Sequence, residues 1–338
     1  MKIITLSQSD IKKVLELDKV IEGVKKAYIQ KSEGRTAVWP SIEYHFEEEK
    51  AAMDIRSGYV MGEKLHGAKM LNNFPLNTEK GIPSFSGLLL IFDSKTGLPL
   101  GVMDASYITS MRTGAAAALG IKALARKDSK NLLLVGAGRQ AFYMLAATLL
   151  AMPQIENVRI LDPLSYDNAC NFTDQIVSRL ADELKIKVRD SISFSPADDL
   201  PGVLSDTDAV ITITRATSPI IKKEWVKAGT HFSCIGADMA GKEEIDPDLF
   251  REARVFADDI KQCISFGEME IPCKMGIVTK ESVTGELGEV LSGKKQGRIS
   301  DDGITIFDAT GLALLDIVTG KIAIDLALKK GLGTVVEI

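Results

Sequence analysis

Between Asn131 and Asp162 the chain runs through a short apolar stretch, a glycine-rich turn, a longer helix-forming stretch and a second short apolar stretch ending on a carboxylate. That order predicts a β-α-β unit. The turn is Gly136-Ala137-Gly138-Arg139-Gln140-Ala141; it is followed by an apolar run to Leu150, a break at Pro153 and then Val158 to Asp162. Gly136 can take backbone angles closed to other residues, Gly138 lets a pyrophosphate approach the main chain, and Ala141 keeps the helix close to the strand. The helix that starts there presents free N–H groups and its positive dipole end to phosphate. Asp162 stands where a ribose-binding acid belongs, so the unit predicts a dinucleotide site. No Arg or Lys follows in Pro163-Leu164-Ser165-Tyr166-Asp167, and a carboxylate repels a 2′-phosphate. NAD (or NADH) is therefore the expected cofactor, rather than NADP. The plainer alternative is that Asp162 only caps a helix over 165–184.

A chain of 338 residues, 45% hydrophobic and 26% charged, has material for two packed domains. Its net charge of −5 is spread along the chain without a basic face, so no nucleic-acid partner is expected. The opening residues Met1–Leu6 run directly into Ser7-Gln8-Ser9-Asp10, too short and polar for a secretion signal. No apolar run approaches the ~20 residues of a spanning helix. A cytoplasmic protein without a membrane partner is expected. Cys170, Cys234, Cys263 and Cys273 form no Cys-x-x-Cys pair and read as reduced thiols; His45, His66 and His231 are isolated, so no metal is expected.

Ser9-Asp10 is expected to cap a first short helix, and Asp18–Glu33 carries Val20, Val24 and Tyr28 at helical spacing before Gly34. Pro40–Phe46, Ala51–Val60 and Lys64–Asn73 read as strands of an antiparallel meander, and Leu88–Phe92 with Leu98–Val102 as a hairpin. Ala105–Arg126 is helical and rich in small residues, which admit the close approach of another helix or of a cofactor. Beyond the β-α-β unit, a helix over Tyr166–Leu184 precedes strands near Ile186–Val188, Asp208–Thr212, Thr230–Ile235 and Arg254–Ala257. Helical stretches lie between most of these, which predicts an α/β fold with a Rossmann-type doubly wound parallel sheet. A helix near Glu286–Ser292, a turn at Gly293–Gly297, a strand at Ile304–Phe307 and an amphipathic helix over Leu312–Lys330 close the chain. That last helix is expected to return to the N-terminal domain.

A nucleotide domain says nothing about the substrate, so reacting residues must be sought elsewhere. Arg56, Lys69, Arg112 and Asp238 stand out. Lys69 lies inside a strand-like run and Asp238 directly follows an apolar strand, places where charges tend to be paired or functional. The plainer alternatives are a surface or interface ion pair for Arg56 and a helix cap for Asp238.

The blocks Lys69–Asn77, Gly81-Ile82-Pro83-Ser84, Ser110–Ala116, Gly136–Ala141, Gly236–Lys242 with Glu244, and Ile304–Gly311 follow one another along nearly the whole chain. Together they resemble the ornithine cyclodeaminase/μ-crystallin family. In the surroundings of Arg56, in Met103–Tyr107 and in Phe307–Ala313 the likeness is nearest to the archaeal-type alanine dehydrogenases. The resemblance implies a smaller α+β substrate-binding and dimerisation domain made of residues 1–115 plus 310–338. It also implies an NAD-binding Rossmann domain over 116–309, a substrate cleft between the two, and a homodimer joined through the first domain. By position, Arg56 and Arg112 would hold a substrate carboxylate, Lys69 would bond the substrate near its reacting carbon, and Asp238 would activate water. Ser84, Arg112, Thr113, Gly136, Gly138, Arg139, Gln140, Asp162, Thr214, Gly236 and Asp238 would touch the cofactor.

This assignment has a chemical logic. Arginine meets a carboxylate through two parallel hydrogen bonds, which fixes the α-carbon for hydride transfer. Loss of hydride from that carbon makes a cationic imine, which an aspartate stabilises while taking a proton from attacking water. Hydrolysis of the imine gives an oxo acid and ammonia; attack by a side-chain amine instead gives cyclodeamination. The chain departs from the ornithine cyclodeaminases at Arg56, where they carry a glutamate for the distal amine, and from many relatives at Ala309, where a serine is usual. The leading expectation is an NAD-dependent enzyme acting on a small L-amino acid such as alanine, or on the corresponding oxo acid or imine in reverse. The alternatives are ornithine cyclodeamination, reduction of a cyclic imine such as pyrroline-2-carboxylate, and a μ-crystallin-like ligand binder.

Overall fold

The structure, a computed structural model, describes residues 1–337. In chain order the first elements are β1 (Lys2–Leu6), α1 (Gln8–Val14), α2 (Leu17–Ser32), β2 (Thr36–Val38), β3 (Ile42–Phe46), β4 (Ala51–Val60) and β5 (Leu65–Asn73). There follow β6 (Phe85–Asp93), β7 (Pro99–Asp104), α3 (Ala105–Leu124), β8 (Asn131–Val135), α4 (Arg139–Ala151), β9 (Asn157–Leu161), α5 (Tyr166–Leu184) and β10 (Ser193–Pro196). Next are α6 (Leu200–Leu204), β11 (Ala209–Thr212), β12 (Thr217–Ile221), β13 (His231–Cys234), β14 (Glu243–Ile245), β15 (Arg254–Ala257), α7 (Ile260–Phe266) and α8 (Glu270–Lys274). The chain closes with β16 (Gly285–Glu286), α9 (Leu287–Leu291), β17 (Thr305–Asp308), α10 (Ala313–Lys330) and β18 (Thr334–Glu337). Two compact units result: Met1–Arg112 with the segment from Leu312 onward, and Thr113–Gly311.

The first unit is built on a sheet in the order β18-β1-β7-β6-β5-β4-β2, with β3 also paired to β4. Only β1 and β7 run parallel. Strand β6 shows why one face is covered: Leu89 and Ile91 are fully buried, while Leu88 and Leu90, which alternate with them, are exposed. Helix α10 packs on β4, β5 and β6 and against α2. Gly320 lets it settle there, since a Cβ at that position would stand 2.6 Å from Leu89 and 2.7 Å from Ile91. Every residue from Ala313 to Gly320 is buried, so the first half of α10 lacks the two-faced character the sequence suggests. Sheet on one side and helices on the other cover that first half, while Asp325, Leu328, Lys329 and Lys330 in the second half are exposed; each buried Leu or Ile contributes about 1.5–3 kcal/mol. The first helix is capped by Ser7 rather than by Ser9-Asp10: the Ser7 hydroxyl accepts the Asp10 N–H and the Asp10 carboxylate accepts the Ser7 N–H. Strand β1, which the polar sequence after it obscures, lies between β7 and β18.

The second unit holds an all-parallel sheet in the order β10-β9-β8-β11-β13-β17-β15-β16. The order reverses at β8, which is the switch point where α/β sheets bind ligands beyond the carboxyl ends of their strands. The strand expected at Ile186–Val188 is absent; Lys185 closes α5 in the left-handed region (φ +58°) and the strand comes later, at Ser193–Pro196. It lies at the sheet's edge on β9 alone, so it needs no continuous apolar run. The small residues of α3 serve packing: a Cβ on Gly114 would lie 2.4 Å from the carbonyl oxygen of Tyr143 in α4.

Candidate active site

The dinucleotide half is assembled within the second unit. Gly136 has φ +108° and donates its N–H to the Leu161 carbonyl at 2.7 Å, tying the turn to the end of β9. Gly138 is the N-cap of α4, and no side chain caps that end. The space a Gly138 side chain would take is open, and the buried Gln140 Oε1 has no partner among the described residues. An uncapped helix start, open room above it and an orphaned polar atom fit a bound phosphate group.

Asp162 organises the other end. Its Oδ2 accepts the Ala137 N–H at 3.0 Å, while Oδ1 accepts from Leu164 N, Ser165 N and Asn168 Nδ2 at 3.1, 3.2 and 3.3 Å. The cap of α5 is Ser165, whose hydroxyl accepts the Asn168 N–H, so Asp162 is more than a helix cap. A cavity of about 320 Å³ opens here between Gly138, Asp162, Asn168, Phe172 and Gln175. That is at the lower end of small-molecule sites.

A second set of residues bridges two further loops at the carboxyl edge. The fully buried Glu244 accepts the Thr214 N–H and hydroxyl at 2.6 and 2.8 Å on one oxygen, and the Gly236 N–H at 2.9 Å on the other. Thr214 follows β11 and Gly236 follows β13, so one carboxylate joins the ends of adjacent strands. Gly236 is required by that closeness: its Cβ would lie 2.4 Å from the carboxylate. Glu268 lies beneath, accepting the N–H groups of Glu244 and Ile245 at 2.7 and 2.8 Å. Burial raises the pKa of Glu244, and burial together with the Glu244 charge lifts that of Glu268 well above the carboxylate range. Asp238 sits on the turn after β13, half-exposed and 2.5 Å from Lys242 Nζ, and is no helix cap. Ala309 is buried and donates its N–H to the Cys234 carbonyl at 3.1 Å.

The cationic candidates come together within the first unit. Arg56 and Lys69 are register partners on β4 and β5, so both side chains lie on one face of the sheet. Lys69, on the covered face, is 1% exposed. Its Nζ lies 2.8 Å from Asp316 Oδ2 and 3.4 Å from Thr109 Oγ1. Arg112 of α3 reaches the same carboxylate through Nε, 3.0 Å from Asp316 Oδ1. Arg56 pairs with Asp54 at 2.6 Å. Within the cluster three cations face two carboxylates, which leaves one net positive charge. Burial and the neighbouring Arg112 push the Lys69 pKa down to about 8, against the pull of Asp316. Burial alone would raise the Asp316 carboxyl, but Arg112 and Lys69 together hold it below its ordinary value. Removing one partner of such a buried set costs about 3–5 kcal/mol, so the arrangement is strongly specified.

Ser84 is half-buried, with its carbonyl accepting the Phe74 N–H at 2.7 Å, and Thr113 is buried. Arg139 is exposed at the helix start. Sequence reasoning missed Asp54 and Asp316. For Asp316 there was a signal, since it is the only charge between Gly311 and Gly320. Among the described residues no group of three or more His, Cys, Asp or Glu could hold a metal ion, and no helix is long and apolar enough to cross a membrane.

A parallel sheet that reverses at β8, a glycine turn opening α4 and an acid closing β9 define the Rossmann class of dinucleotide-binding proteins. Residues 1–331 match the sequence pattern of the ornithine cyclodeaminase/mu-crystallin family, and the chain belongs to that family. It is 34% identical over 337 residues to an alanine dehydrogenase of Archaeoglobus fulgidus, covering 100% of this chain and 99% of that one. Among solved structures, an archaeal alanine dehydrogenase dimer with bound NAD is similar with a TM-score of 0.90 at 33% identity, covering all of both chains. The Thermococcus litoralis Delta(1)-pyrroline-2-carboxylate reductase in complex with NADH and L-proline is similar with a TM-score of 0.89 at 31% identity, covering 98% of this chain and 99% of that one.

Proposed function

We propose that this protein is an NAD(H)-dependent oxidoreductase that transfers hydride at the α-carbon of a small L-amino acid, as an alanine dehydrogenase does, and reduces the corresponding oxo acid or imine in reverse. The observation that carries this reading is Arg112. Its guanidinium is buried and anchored to Asp316 through Nε alone, which leaves both terminal nitrogens without a partner among the described residues. A planar fork held at Nε with its two terminal nitrogens unengaged suits a carboxylate. The single net positive charge of the cluster favours a substrate with one carboxylate over one with two.

When bound, the nicotinamide supplies the hydride acceptor or donor. Gly136, Gly138, Arg139 and Gln140 would hold the pyrophosphate, Asp162 the ribose hydroxyls, and Thr214, Gly236, Ser84 and Thr113 the remaining contacts. Arg56 and Arg112 hold the substrate carboxylate and fix the α-carbon. Lys69 retains an N–H beyond those given to Asp316 and Thr109, and donates it to the substrate near its reacting carbon. Asp238, half-exposed and therefore in touch with water, takes the proton of the attacking water. Residues 1–115 plus 310–338 would form the substrate and dimerisation domain and 116–309 the nucleotide domain. A homodimer is supported by the exposed apolar row that crosses the first sheet from Ile42 (59%) through Met70 (42%) to Leu88 (56%).

The Asp54 partner of Arg56 keeps ornithine cyclodeamination in view, because a distal ammonium would meet a carboxylate beside the arginine. Incubation with NAD and alanine, ornithine, lysine or aspartate separates the readings. Net NADH with ammonia from alanine is expected; ammonia from ornithine without net NADH would replace it by cyclodeamination. Lys69→Ala and Asp238→Ala are each expected to lower turnover at least ~100-fold, the order of an acid–base group, with NADH affinity within a few-fold of wild type. Turnover near wild type in either variant would refute that residue's role.

A further inference from the structure

We propose that Asp316 is a positioning residue of this site: one carboxylate, taking Lys69 on one oxygen and Arg112 on the other, sets the spacing of the two groups that meet the substrate. The inference rests on the site reading above. Asp316 is fully buried and comes from α10, whereas Lys69 comes from β5 and Arg112 from α3, so a single side chain gathers three separate elements. Asp316 has no exposed surface, whereas Lys69 is 1% and Arg112 6% exposed, so the carboxylate is buried more deeply than either cation. By filling Nε of Arg112 it directs the terminal nitrogens outward, and by bonding Nζ of Lys69 it leaves the lysine's remaining donor for the substrate.

The charges facing Lys69 are Arg56 and Asp54 from β4, Arg112 from α3 and Asp316 from α10, while β6 contributes the apolar Leu89. Burial, Arg112 and Arg56 all disfavour the ammonium; Asp316 opposes them, by charge and by hydrogen bond. Without it the lysine would lose its proton at lower pH. Arg112 and Arg56 stay cationic without it and still bind a carboxylate, so the defect should fall on turnover rather than on substrate affinity.

The test is Asp316→Asn, with kcat and KM followed from pH 6 to 10, NADH affinity by fluorescence titration and folding by thermal melting. The expected result is a fall in kcat of at least tenfold, KM unchanged or lower, a limb near pH 8 moved to lower pH by at least half a unit, and wild-type NADH affinity. An unchanged limb with kcat within threefold of wild type would overturn the inference. Should the Asn variant fail to fold, Asp316→Glu replaces it: the charge is kept but the oxygens move by a methylene. The limb should then stay near pH 8 while kcat/KM falls at least tenfold, and wild-type kinetics would refute a positioning role. Lys69→Ala run in parallel separates the two levels. If it is fully active, the site reading fails; if it is inactive while Asp316→Asn behaves as wild type, only the present inference fails.

Discussion

Asp162 divides its two oxygens among four N–H donors, and in doing so ties the glycine turn to the loop that follows β9. A carboxylate pinned in that way cannot readily swing aside for a 2′-phosphate, so the turn is expected to discriminate against NADP. Asp162→Ser is expected to raise the ratio of NADPH to NADH affinity at least tenfold, measured by fluorescence titration; an unchanged ratio would place discrimination elsewhere. At this scale the sequence revealed the groups whose chemistry is unusual for their surroundings, such as Lys69 inside a strand-like run. It hid the partner, because Asp316 lies 247 residues away from Lys69 and their meeting is a property of the fold alone. Thr214 and Gly236 were reachable only through resemblance, and the reason they matter locally, the carboxylate of Glu244 between them, requires the loops in place.

Elements with a strong period or a glycine signature were readable: the β-α-β unit, the meander of β4 and β5, and helix α5. Elements at sheet edges were not, since β10 has a single partner and a polar sequence. Helix α10 is readable as a helix, but its first half, Ala313–Gly320, is buried all round and carries no polar stripe, so the two-faced pattern holds only for the second half. The loops after β11 and β13 have no regular structure to hold them, and Glu244 performs that task through three donors. Glu244→Gln replaces one acceptor oxygen by a donor that faces an N–H. We expect NADH affinity to fall about tenfold, equivalent to the ~1.4 kcal/mol of one lost hydrogen bond to a charged group, with a melting temperature above the assay range. Wild-type affinity would assign Glu244 to stability alone.

Over the whole molecule, the first sheet has one face closed by α10 and the other carrying Ile42, Met70, Leu88 and Leu90 to solvent. Exposed apolar rows of this kind mark association surfaces. If a second copy covers the row, Met70→Glu with Leu88→Glu should yield monomers in sedimentation, whereas an unchanged mass would move the interface elsewhere.

The first unit is discontinuous: all of its sheet but the edge strand β18 is made early, and the helix that closes it emerges only after all of Thr113–Gly311. During synthesis the early sheet therefore waits, with Leu89 and Ile91 uncovered and Lys69 lacking its counter-charge, until α10 leaves the ribosome. Nascent chains arrested at Gly311 should lose their first hundred residues to protease while the nucleotide fold resists, and equal resistance of both parts would show that the sheet can wait without its lid.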